Sequence, residues 1–136
     1  MRKEYLDESP ILVKDFLMYV QNIKGRASLT VDEYYRDLRT FFRYILYTRG
    51  MVSHDTPIEE ICISNVDEEL IKSITVQDIL EFFNYCISDR ENQAASRARK
   101  TTVLNQFFKH LKEKKIDYRK KPYGLARFTE KEKKPS

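Results

Sequence analysis

The stretch from Thr30 to Tyr47, TVDEYYRDLRTFFRYILY, constrains the chain more than any other. Val31, Tyr34, Leu38, Phe41 and Ile45 recur at steps of three and four, which lines them along one side of an α-helix and makes that side a core face. Thr30, followed three residues later by Glu33, reads as a capping box and sets the expected helix start. Arg36, Arg39 and Arg43 follow helical spacing too, on the flank of that face. One side is therefore predicted to be buried while a cationic strip stays outside. Two readings of the strip stand together: a surface for an anionic partner such as nucleic acid, or arginines that are simply solvated.

The rest of the chain repeats this period. Ser9-Pro10 opens a first long helix, with serine as N-cap and proline at the first helical position, and Ile11, Leu12, Phe16, Tyr19, Val20 and Ile23 form its predicted stripe. It ends near Gly25. The link Lys24 to Ser28 is either a plain C-cap turn or a place where backbone and bases approach a phosphate. From Thr48 to Ser73, Gly50, Pro57 and Ser64-Asn65 interrupt any long period. Short helical turns are expected at 57–61 and 66–71, packed on the outer side of the bundle. Thr75 with Asp78 starts a third long helix, with Val76, Ile79, Leu80, Phe83, Tyr85, Cys86 and Ile87 as its apolar residues. After the polar turn Ser88 to Gln93, a fourth runs from Ala94 to about Lys114. Its first half, with Ser96, Arg97, Arg99, Lys100 and Thr101, is basic and hydroxylated; its second half, with Val103, Leu104, Phe107, Phe108 and Leu111, is core. Bases near the positive end of a helix dipole suit a phosphate or a base edge, and solvated surface is the competing reading. From Ile116 the period dissolves into a lysine-rich linker.

The expected fold is all-α: a four-helix orthogonal bundle with an irregular, partly helical connection between the second and third helices. Residues 1–8 are read as a tail, 9–115 as one domain and 116–136 as a basic linker. With 136 residues the chain is long enough for one modest core. No apolar run approaches the roughly 20 residues that span a bilayer, and MRKEYLDESP lacks the apolar stretch of a secretory signal, so a cytoplasmic protein without a membrane partner is expected. Cys62 and Cys86 lack a CxxC spacing and lie far in sequence from His54 and His110, which reads as packing thiols rather than a zinc site. There is no calcium-loop pattern, no Gly-rich phosphate loop and no nucleophile with a paired base. No cofactor, metal or catalytic residue is therefore expected.

The net charge of +4 conceals a sorting of charges. Residues 1 to 50 carry nine basic against seven acidic side chains, residues 51 to 93 two against ten, and residues 94 to 136 fourteen against four. Clustering of this kind is the footprint of a protein that neutralises phosphates while keeping its acidic segment elsewhere.

Thr30, Tyr34, Asp37-Leu38, Phe41 and Tyr44-Ile45 follow the T-x-x-x-Y-x-x-D-L-x-x-F-x-x-aromatic-aliphatic pattern, with Ile74-Thr75, Asp78-Ile79, Phe82 and Tyr85 as its next helix and Arg99-Lys100 through Leu111 as its last. In order and spacing these residues resemble the amino-terminal, SAM-like core-binding domain of tyrosine recombinases, the phage integrases and Xer-type enzymes, over roughly residues 8 to 114. The resemblance implies half of a C-shaped clamp on duplex DNA, with the second and fourth long helices facing the major groove. Carried over by position, it favours Arg36, Arg39, Thr40 and Arg43 on one helix and Ser96, Arg97, Arg99, Lys100 and Thr101 on the other, with Tyr35 and Ser28 as additions. The family's chemistry lies in a separate carboxy-terminal domain that nothing here matches, so a DNA-binding fragment without catalytic activity is expected. Double-stranded DNA and other recombinase protomers are the implied partners, and the isolated fragment is expected to be monomeric. The alternative is a helical protein-interaction module anchored by Tyr5, Tyr35, Tyr47 or Tyr118.

Overall fold

A computed structural model describes residues 1–88 and 94–114. Among them are six α-helices, one 3-10 turn and no strand: α1 (Lys3–Glu8), α2 (Ile11–Asn22), α3 (Ser28–Thr48), the turn Ile58–Glu60, α4 (Glu68–Lys72), α5 (Val76–Ser88) and α6 (Ala94–Glu113). The fold is all-α, as the periodicity predicts, and the four long helices fall close to the predicted spans. The 116–136 linker and most of the Ser88–Gln93 turn lie outside the described residues. Two compact units divide the chain, Met1–Asp67 and a second beginning at Glu68.

In the first unit α2 packs on α3. The buried residues of α2 are Val13, Phe16, Leu17 and Val20, spaced at three and four. Ile11 and Ile23, assigned to this stripe from the sequence, are instead 77% and 74% exposed. At 100° per residue Ile11 points away from the stripe, and Ile23 stands past the last helical turn. α3 buries a broader face: Val31, Tyr34, Leu38, Phe41 and Ile45, as predicted, and also Tyr35, Phe42 and Leu46.

The ends of these helices differ from the sequence reading. Residues 1–8 contain a helix rather than only a tail. Ser9 closes α1, its hydroxyl donating to the Tyr5 carbonyl at 2.6 Å, and Pro10 takes the N-cap of α2 in extended conformation. The Thr30 capping box does not form, because α3 starts earlier. Ala27 is the N-cap, and the Val31 N–H already bonds its carbonyl at 3.0 Å, which places Thr30 inside the helix. α3 ends in a Schellman arrangement: the Met51 N–H reaches the Leu46 carbonyl at 3.0 Å and the Gly50 N–H reaches Tyr47 at 3.1 Å. That turn needs the left-handed φ of +66° at Gly50, which a side chain would strain. The connection after it is not merely an outer layer, since Ile61, Ile63 and Val66 are buried. Cys62, between two of these isoleucines, is exposed and lies 3.1 Å from the Ser64 hydroxyl, so only Cys86 is a packing thiol.

The second unit begins with α4. α5 opens on a reciprocal capping box, with the Thr75 N–H donating to Asp78 Oδ2 at 2.9 Å and the Asp78 N–H donating to Thr75 Oγ1 at 3.2 Å. Ile79, Phe82 and Cys86 form its buried stripe, whereas Leu80 and Ile87 are exposed. α6 buries Val103, Leu104, Phe107, Phe108 and Leu111 as predicted.

These two threonines make the cap assignments testable. Thr75→Ala is expected to lower stability by about 1 kcal/mol, as loss of an N-cap does. Thr30→Ala should stay within about 0.5 kcal/mol of the parent. Urea midpoints of the two variants decide between them; equal losses would place a working cap at Thr30.

Candidate nucleic-acid interface

The basic residues of α3 form one strip on the flank of its buried face. Arg36, Arg39, Thr40 and Arg43 fall there because residues three, four and seven apart share a helix side. Arg36 is exposed, and Arg39 and Arg43 are half-buried.

Each arginine is held. Arg36 Nη1 donates to the Tyr5 hydroxyl at 3.2 Å. Arg39 Nη1 donates to Glu8 Oε1 at 3.0 Å, an ion pair with both side chains partly exposed. Arg43 Nε donates to the Ile61 carbonyl at 2.8 Å. Partial burial, with the neighbouring Arg39 charge adding to it, lowers the pKa of Arg43 from the usual arginine value. The carbonyl contact supplies an acceptor for this half-buried cation. The Thr40 hydroxyl donates to the Arg36 carbonyl at 2.9 Å, within its own helix.

Tyr35 does not belong to the exposed strip. It is fully buried, its ring stacks on Tyr5 with centroids 4.5 Å apart, and its hydroxyl donates to Glu8. It serves as the floor beneath the arginines rather than as a contact: Arg39 lies 5.3 Å from its ring centroid and 5.2 Å from that of Tyr5. Arg2 covers the Tyr5 ring at 4.9 Å, and its backbone N–H donates to Asp32 at 3.0 Å, fastening α1 to α3. Tyr5, Glu8 and Arg2 thus organise the strip, and the sequence reading assigned them to a tail. The signal that was available is Tyr5, a large aromatic amid charged residues. Burial of Tyr5 and Tyr35 also removes two of the four anchors of the protein-interaction reading; Tyr47 is exposed and Tyr118 lies outside the described residues. Ser28 is the exposed first residue of α3 and makes no cap bond.

In the second unit the amino-terminal half of α6 carries the other basic group. Ser96, Arg97, Arg99 and Thr101 are half-buried. Lys100 is buried, its Nζ donating to the Ser96 hydroxyl at 3.1 Å. It stands three and four residues before Val103 and Leu104, so the helical period places it on the core side. Lys100 is therefore corrected from a contact to an inward-packed residue. The Thr101 hydroxyl donates to the Arg97 carbonyl at 3.0 Å.

No described helix is long and apolar enough to cross a membrane. Comparison with curated proteins shows that the chain belongs to the tyrosine recombinases, as an amino-terminal domain. The match is to the tyrosine recombinase XerC of Caldanaerobacter subterraneus subsp. tengcongensis, 37% identical over 102 residues, and the Xer type fits. It covers 75% of this chain but only 29% of that protein. No family model matches the chain, and no solved structure matches it significantly.

Burial, with the hydrogen bond to Glu8 adding to it, raises the Tyr35 phenol well above its ordinary value of 10.0. The fold thus holds this phenol protonated. Its contribution to stability is complete below about pH 10 and is lost as pH rises beyond, by about 1.4 kcal/mol per pH unit. Chemical denaturation between pH 9 and 11 is expected to show a shallower alkaline decline for Tyr35→Phe than for the parent. Identical slopes would contradict a protonated, buried phenol.

Proposed function

We propose that the chain is the DNA-binding, SAM-like core-binding domain of a site-specific Xer-type recombinase, acting in the cytoplasm on the duplex of a recombination site. The observation that carries this reading is the arginine strip of α3, in a chain that resembles a recombinase over three quarters of its length. Arg36, Arg39 and Arg43 are spaced to meet successive anionic groups, and guanidinium is the side chain best suited to phosphate oxygens or a guanine edge. Ser28 and Thr40 add hydroxyls beside this strip, and α6 adds Ser96, Arg97, Arg99 and Thr101. Tyr35 and Lys100 act as support.

Recognition in this reading is chiefly of the backbone: bases neutralise phosphates, and a few side chains reach base edges. Breaking and rejoining of DNA belongs to the longer parent enzyme, and the residues proposed here have no catalytic part in it. Other protomers join on the DNA, whereas the isolated domain is monomeric.

Binding to a mixed-sequence duplex over a series of salt concentrations tests this. The double variant Arg97→Ala/Arg99→Ala is expected to weaken binding and to reduce the salt slope by about two units, one for each phosphate that is no longer neutralised. Unchanged affinity with an unchanged slope would reject the contribution of α6.

A further inference from the structure

If α3 binds DNA, its strip is not vacant before DNA arrives. Glu8 Oε1 accepts from Arg39 at 3.0 Å, the separation at which a phosphate oxygen would accept the same donor. The α1 helix that delivers this carboxylate spans only Lys3–Glu8 and buries a single residue, Tyr5. The Tyr5–Tyr35 stack and the Arg2–Asp32 hydrogen bond hold this short helix on α3, so Glu8 stays beside Arg39. The Glu8 side chain is 36% exposed, so it meets solvent from which a ligand can approach.

From this arrangement we propose that Glu8 is an internal competitor for phosphate at Arg39, so that α1 restrains the DNA affinity of α3. The inference rests on the DNA-binding reading above. A phosphate that approaches Arg39 either displaces the carboxylate or is repelled by it, and both lower affinity. The ion pair also reduces the net positive charge of the strip, which lowers the number of phosphates it neutralises in effect. Glu8 has a second task that makes it a usable latch: the same oxygen accepts from the buried Tyr35 hydroxyl, so the carboxylate is aimed at Arg39 from below.

Glu8→Gln in the full chain separates charge from structure, since the amide oxygen still accepts from Tyr35 and Arg39. Anisotropy titration of a fluorescent mixed-sequence duplex is expected to show binding about fivefold tighter than the parent at low salt, with a salt slope steeper by about one. In an Arg39→Ala background the gain should disappear. Glu8→Ala is a second route to the same removal of charge, with circular dichroism reporting whether each variant keeps its helices. Unchanged or weaker binding by both Glu8 variants, while Arg39→Ala still weakens binding, overturns the competitor role and leaves Glu8 as a support. If Arg36→Ala and Arg39→Ala both leave duplex binding unchanged, it is the DNA-binding reading of α3 that fails.

Discussion

The first unit depends on how much of α3 is buried. Burial of Val31, Tyr34, Tyr35, Leu38, Phe41, Phe42, Ile45 and Leu46 covers one continuous side of the helix, about 140° of its circumference at 100° per residue, and leaves the opposite side outside. The spacing of Arg36, Arg39 and Arg43 places them within about 60° of one another on the flank of that buried side, so the helix that builds the core also aligns the charges.

Alignment alone does not hold three like charges next to one another. The aromatic pair Tyr5 and Tyr35 supplies π surface on which Arg39 lies, the Glu8 carboxylate offsets one charge, and the Ile61 carbonyl accepts from Arg43. These partners come from α1, from α3 itself and from the connection that follows it. The cost of crowding cations beside a core is met by acceptors that the fold itself brings there, which is also why the strip and α1 are coupled. In α6 the equivalent problem has another solution: Lys100 turns its amine to Ser96 within the helix, while its stem lies along the core stripe.

How far the fold was legible in the sequence can be judged at particular residues. The four long helices follow from apolar spacing, and the Thr75–Asp78 box formed as read because both partners lie within one turn. The Thr30–Glu33 box shows the same motif and did not form, since the helical ladder extends back to Ala27 and moves the start ahead of it. Lys100 was open to correction from the period alone, because it precedes Val103 by three. Tyr35 was harder: Tyr34 and Tyr35 are adjacent, a single stripe accommodates one of them, and only a face this wide buries both. Helix α1 was the least legible, as a six-residue segment has too few turns to show a period.

Local order in the sequence determined the all-α class, the long helices and the placement of Arg36, Arg39 and Arg43 on one side of α3, because helix geometry relates residues only three, four and seven positions apart. Tertiary structure decided what those arginines meet. Tyr5 and Glu8 reach them across an interval of about thirty residues, and Arg43 finds its acceptor in the irregular connection. Such contacts depend on which surfaces bury one another, and that is a property of the folded chain rather than of any window along it.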